Sequence, residues 1–495
     1  MSEIRRTFAS VLARIGRGAA ARTIEALNRG PRVEHLRGVD PNILYARGFL
    51  LCAHGRAPKV LAKWKVWDVG GRALHVDPRV PVDHATCGDR EIWIVGDAFH
   101  PGRGVFKNMA AHVLDQNIPE TLDGIAGRFL LVYRNGSQIE IYHDAMGARS
   151  VFHGEGVVAS HAGLAADVLG SGLRDWIIPF ITSRGYLQRD VKYLPGLDSP
   201  FMGVMQLTPN TRLALPEGRV ERYWPRSDLS ATDGDQALAA LTAHLKGLGQ
   251  YLCQNKLNPL IGLSAGRDSR GVFAALANLA PKLFTFVRSA DGLSEDSVDS
   301  RTAKRLAEQV GLDLEIIKVP APPHLDTAAS SFAVTFRQNT GYVRGNNSGW
   351  VEHYHQSPLR GRVFIRGFGG EVMRGFYDII DELSPSSLSN LYDLNAGSKF
   401  SQEAFAKFIE IADWSGFSSR NYKLSELFYW EHRMGIWGAS ALSESDMSFR
   451  SIPGYNSRDL FTTFMGLPDE IDRRDIFERA VTALLPELAD VPYES

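Results

Sequence analysis

At 495 residues the chain suits about three domains, or two large ones. Lys and Arg number 55 against 56 Asp and Glu, which argues against a nucleic-acid binder, and 44% hydrophobic with 22% charged residues is the profile of a soluble globular protein. Three cysteines (Cys52, Cys87, Cys253) in no CxxC or Cys/His pattern argue against a disulfide framework or structural zinc and point to the cytoplasm, and neither a bilayer-spanning run nor a secretory signal is present.

Residues 1–39 read as a basic amphipathic helix. Eight arginines between Arg5 and Arg37 face only Glu3, Glu25 and Glu34, while Ile4, Phe8, Val11, Leu12 and Ile15 recur at helical spacing. Packing on its own domain is favoured over an anionic membrane or a partner surface, because the glutamates dilute the membrane pattern. Residues 40–230 are mostly short strands. Glu91 to Phe99 alternates, and Phe129 to Tyr133 with Gln138 to His143 form a hairpin around Asn135-Gly136. A polar stretch over residues 225–236 reads as a domain edge.

From residue 236 to the end the rhythm changes. Leu260 to Leu263, Leu283 to Val287 and Leu314 to Val319 are strands separated by helices, which predicts a doubly wound parallel α/β sheet with a helical part after residue 330. The first of these strands runs into Ser264, Ala265, Gly266, Arg267, Asp268 and Ser269, with a helix beginning near Arg270. Small residues let a phosphate approach the backbone, free N–H groups at the helix start attract it, and the Ser264 and Ser269 hydroxyls add donors. Asp268 suits Mg²⁺ shared with the phosphates. The plainer reading is a helix cap. No lysine sits in the turn, so this is not a Walker loop.

The loop resembles the SGGxDS loop of ATP pyrophosphatases, and most closely that of the asparagine synthetase-like family. There, a β-rich glutaminase-like sandwich of the Ntn-hydrolase kind precedes an ATP-pyrophosphatase domain. Asp123-Gly124, the AGRFLLVY run, Asp144, Gly147 and Arg149 resemble motifs of the first part. By this resemblance Leu263 and Phe286 flank the adenine of ATP, and Ser264, Ala265, Gly266 and Ser269 take the pyrophosphate. The run RGFGGEVMRGFY (Arg366 to Tyr377) resembles the family's S-G-E-G-x-D-E loop, which implies Arg366 and Gly367 against the nucleotide. It also implies Glu371 as a second Mg²⁺ ligand with Asp268.

Three departures stand out. Ser2 follows Met1 where the family has its glutaminase cysteine, so no ammonia is expected from glutamine. Phe368 replaces a glutamate or tyrosine able to handle a proton. No lysine follows Lys423, which leaves Arg473 or Arg474 as the late cation. The resemblance implies an AMP-forming amide ligase joining a small-molecule or peptide carboxylate to an amine, as in the β-lactam synthetase and lasso-peptide cyclase group. The alternatives are a non-catalytic ATP-binding scaffold and an ammonia-dependent asparagine synthetase. The Trp430, Glu431, His432 and Trp437 group shapes an acceptor pocket on the first reading, or packs the core. Whether the chain forms a homodimer is left open.

Overall fold

The computed structural model describes residues 38–288, 294–319, 330–344, 347–380, 382–394, 397–414, 416–417 and 420–493. Ser2 and almost all of the expected basic helix lie outside them.

Two six-stranded antiparallel sheets come first. One has the order β10-β8-β9-β1-β3-β2, made of β1 (Phe49–Ala53), β2 (Lys65–Val69), β3 (Arg72–Val76), β8 (Phe152–Gly154), β9 (Val157–Ala159) and β10 (Met205–Gln206). The other has the order β12-β11-β7-β6-β5-β4, from β4 (Val82–Cys87), β5 (Arg90–Phe99), β6 (Ala126–Asn135), β7 (Gln138–His143), β11 (Thr211–Leu215) and β12 (Arg219–Arg222). Alternation along each strand sorts the side chains. Trp93, Val95, Leu130 and Val132 meet Phe49, Leu51, Leu74 and Val76 between the sheets. Their neighbours Ile92, Ile94, Phe129 and Leu131 point the other way, into a core shared with the second half of the chain. That is why β5 and β6 read as almost continuously apolar: both of their faces are covered.

The second half is built on a five-stranded parallel sheet of order β15-β14-β13-β16-β17. Its strands are β13 (Pro259–Gly262), β14 (Lys282–Arg288), β15 (Leu314–Val319), β16 (Val363–Arg366) and β17 (Arg450–Pro453). The chain is thus mixed α/β, with antiparallel sheets first and a doubly wound parallel sheet later, as expected. Strands β16 and β17 were not foreseen, because each is four residues long inside a mainly helical region. Helices Gly234–Gln254 and Arg267–Leu276 cover one face, and helices Ser348–Gln356 and Ala439–Ser445 lie toward the other.

Buried charge ties the two halves together. Arg128 donates to both oxygens of Asp446, at 2.7 and 2.8 Å, and Arg450 pairs with Asp97. Glu431, fully buried, accepts from Arg222 through both Nη atoms at 2.8 Å, from Asn210 Nδ2 at 2.8 Å and from Trp414 Nε1 at 2.7 Å. Asp144 accepts from the N–H groups of Phe129, Ala148 and Arg149 and from Asn456 Nδ2. Trp430, Glu431 and His432 therefore belong to the core, the duller of their two expected jobs, and only Trp437 of that group borders a cavity.

Candidate functional site

In an open parallel sheet, ligands bind beyond the carboxyl ends of the strands, at the point where strand order reverses. Here β13 has β14 and β15 on one side and β16 and β17 on the other, so the reversal falls between β13 and β16. The two runs singled out in the sequence, Ser264 to Ser269 and Arg366 to Tyr377, follow those two strands.

They meet without slack. A Cβ at Gly367 would stand 2.8 Å from Asp268 Cβ and 3.2 Å from the Ser269 nitrogen, and one at Gly370 would collide with Asp268 Oδ1. Only glycine permits this approach. Tyr455, from the loop after β17, donates its hydroxyl to the Asp268 carbonyl at 2.8 Å.

The Ser264–Ser269 turn is partly bonded to itself. The two hydroxyls are 3.0 Å apart, the Ser264 N–H donates to Ser269 Oγ at 3.2 Å, and Gly266 N–H donates to Ser264 Oγ at 3.2 Å. The helix starts at Arg267, three residues earlier than expected. The Ala265 N–H donates to Asp299 Oδ1 at 2.8 Å, so a carboxylate occupies one donor of the nest. Asp299, in the first turn of the helix Val298–Val310, is thereby part of the loop.

Asp268 and Glu371 are brought together, as expected, but a third group joins them. Arg374 holds both Asp268 oxygens, with Nη2 3.0 Å from Oδ2. Burial raises the Asp268 pKa and the Arg374 charge opposes that rise. Glu371 is pushed up to about 7, first by burial and then by the negative charge of Asp268. Its Oε2 is buried without a hydrogen-bond partner. Among the described residues no cluster of three His, Cys, Asp or Glu could hold a metal. With Asp268 committed to a guanidinium, the pair as arranged does not fit Mg²⁺, and Glu371 Oε2 is the one open donor of the two carboxylates.

Leu263 and Phe286 are not brought face to face. Leu263 joins Ile261 and Leu283 in the core on the helix Arg267–Leu276 side. Phe286 follows Phe284 on the opposite face of β14 and is partly exposed. Arg473 stands behind the second loop: it pairs with Glu426 at 3.0 Å and donates to the Met373 carbonyl at 3.0 Å. It positions helix Gly370–Arg374 and presents no free charge.

Two cations near the loops had no role in the expected site. Arg374 lies three residues from Glu371 on one helical turn, a spacing that brings side chains together and could have been noticed. Arg433 stands over the rings of Phe376, Tyr429 and Trp437, at 4.6 to 5.6 Å from their centroids. No described carboxylate forms an ion pair with it.

No family model matches the chain, and no curated protein matches it. Among solved structures it is similar to the glutamine phosphoribosylpyrophosphate amidotransferase of B. subtilis complexed with ADP and GMP. The two are 12% identical over 57% of this chain and 89% of that one, with a TM-score of 0.23. An allosteric regulatory enzyme of purine biosynthesis gives 12%, 56%, 78% and 0.23 in the same order. The NMN synthetase of Francisella tularensis gives 15%, 36%, 71% and 0.18. At these scores the likenesses carry no argument about function.

Proposed function

We propose that the chain is an ATP-dependent ligase that adenylates a carboxylate, releases pyrophosphate, and passes the acyl group to an amine with release of AMP. The observation that carries this reading is the contact of two glycine-bearing loops, Ser264 to Ser269 and Arg366 to Gly370, at the strand-order reversal of a parallel sheet. The first turn of helix Arg267–Leu276 supplies backbone donors there, while the charges of Arg374 and Arg267 are shared with Asp268 and Glu478.

A carboxylate does not react with an amine in water, because its oxygen is a poor leaving group. Attack of the carboxylate on the α-phosphorus of ATP forms an acyl adenylate and expels pyrophosphate. The N–H groups at the start of helix Arg267–Leu276 face the departing phosphates. An amine then attacks the acyl carbon and AMP leaves, and in this reading Arg433 stabilises the tetrahedral oxyanion. Phe368 cannot accept the amine's proton. Glu371, with its pKa near neutrality, is the group suited to take it. No step needs glutamine.

A non-catalytic ATP-binding scaffold is the second reading. It is favoured by the Asp299 carboxylate on Ala265 and by the Arg374 clasp on Asp268. Exchange of labelled pyrophosphate into ATP separates the two, because a scaffold binds ATP and exchanges nothing.

A further inference from the structure

A cavity of about 250 Å³ lies beside the loops, on the sheet face away from helix Arg267–Leu276. Its floor is made by Phe284 and Phe364, whose ring centroids are 5.5 Å apart. They close over Gly262, where a Cβ would be 3.2 Å from one ring and 3.6 Å from the other. Phe286, Trp350, Tyr354 and Trp437 line the space above. Such walls suit a flat, apolar ring.

The cavity also holds an uncompensated cation. Arg366 enters it from the end of β16, with its guanidinium 4.1 Å from the Phe368 ring centroid, and Phe368 in turn packs on Trp437 at 5.6 Å. Its Nη1 donates to the Ala441 carbonyl at 3.2 Å and to Ser445 Oγ at 3.1 Å. No described carboxylate pairs with it. Glu444, the acid in the lining, is already spent on Arg344 and on Asn347 Nδ2 at 3.3 Å. Asp190, the other acid at the cavity, is solvent-exposed. Burial lowers the Arg366 pKa to about 10, which still leaves it charged at neutral pH. A desolvated cation without a counter-ion calls for an anionic ligand.

A whole nucleotide is a poor match. The cavity is smaller than the roughly 300–1,000 Å³ of sites for drug-sized ligands. Neither Leu263 nor the Ser264–Ser269 turn lines it. Arg366 belongs to the cavity wall and Gly367 and Gly370 to the loop contact, so the two spaces adjoin along one short segment. We infer that this cavity binds the acid substrate, a single-ring aromatic carboxylate whose ring lies among Phe286, Trp350 and Trp437 and whose carboxylate meets Arg366. The identification of the ligand as a substrate rests on the ligase reading; its chemistry does not. Phe368 then has a reason to replace a proton-handling residue, because it is the platform for Arg366.

The test is calorimetric titration of the full chain with phenylacetate, 4-hydroxyphenylacetate, butyrate, phenethylamine and AMP. The variants are Arg366→Gln, which removes the charge, and Ala441→Leu, which narrows the cavity; each is first checked for an unchanged thermal melt, and either alone suffices. The aromatic acids are expected to bind at least tenfold tighter than butyrate and phenethylamine, and to lose at least tenfold in each variant. Equal binding of butyrate, or variants that bind the aromatic acids as well as the parent does, overturns the inference. Competition between AMP and the aromatic acids, with AMP also weakened by Ala441→Leu, overturns it in favour of a nucleotide pocket. Aromatic acids that bind here but never support pyrophosphate exchange would leave the cavity as described and remove the ligase reading. Exchange supported only by acids that do not bind here would do the opposite.

Discussion

Arg374 clasps Asp268 across the gap between the two loops, with both carboxylate oxygens engaged and side chains about one-fifth exposed. A guanidinium thus stands where a divalent cation was expected. Removing it should expose the carboxylate pair. Wild-type protein is expected to show no change in melting temperature with millimolar Mg²⁺ in the absence of nucleotide, whereas Arg374→Gln should melt lower and be partly restored by Mg²⁺. Breaking a buried pair by removing one partner costs about 3 kcal/mol. A wild-type protein already stabilised by Mg²⁺ would contradict this arrangement.

Gly370 tests the loop contact. Gly370→Ala places a methyl against Asp268 Oδ1, so the carboxylate must swing away from Arg374. We expect folded protein, by circular dichroism, with ATP binding weakened at least tenfold. Unchanged ATP affinity would separate this contact from the nucleotide.

Asp299 tests the anion nest from the other side. Its carboxylate accepts from the Ala265 N–H and repels an incoming phosphate. Asp299→Ala should free that donor and tighten pyrophosphate binding severalfold in calorimetry. Weaker binding would mean that the carboxylate organises the turn for its ligand.

Glu371 gives a pH signature. Its ordinary value is 4.5, and burial with the Asp268 charge brings it to about 7 in the folded protein. Between these values the folded state binds the proton that the unfolded state has lost, so this group's effect on stability falls as pH rises. The loss is absent below about pH 4.5, grows toward pH 7 and is complete above it, at roughly 3 kcal/mol in all. Glu371→Gln should flatten this part of the urea-unfolding profile; an unchanged slope between pH 5 and 7 would show that Glu371 is ionised throughout.

The joint between the two halves is testable through Glu431. Glu431→Ala leaves Arg222, Asn210 and Trp414 facing an empty place, and stranding a buried charge costs about 3–5 kcal/mol. The shift in the denaturation midpoint should be large and shared by both halves. A shift confined to one half would show that each half unfolds independently.

How far the sequence carried this picture can be judged from particular residues. The turn Ser264–Ser269 was legible because apolar strand, small residues and helix start are consecutive. The run from Arg366 was legible through its resemblance to a family loop, without the strand that leads into it. The partners of both loops were not. Asp299 reaches Ala265 from 34 positions away, across a helix and a strand, and nothing local marks it. Arg374 sat inside the quoted run, but its choice of Asp268 depends on how closely Gly367 and Gly370 let the loops approach. Arg473 looked like a free late cation because its partner, Glu426, is 47 residues earlier. Strands β16 and β17 were hidden by length, since four-residue segments such as VFIR and RSIP are too short to show a period.

The most direct test of the central proposal is ATP–pyrophosphate exchange on the purified chain with Mg²⁺, against pooled carboxylates that include the aromatic acids. Exchange that depends on one acid and is lost in Gly370→Ala is the expected result. ATP bound with no exchange across the whole pool would contradict an adenylating ligase and leave the scaffold.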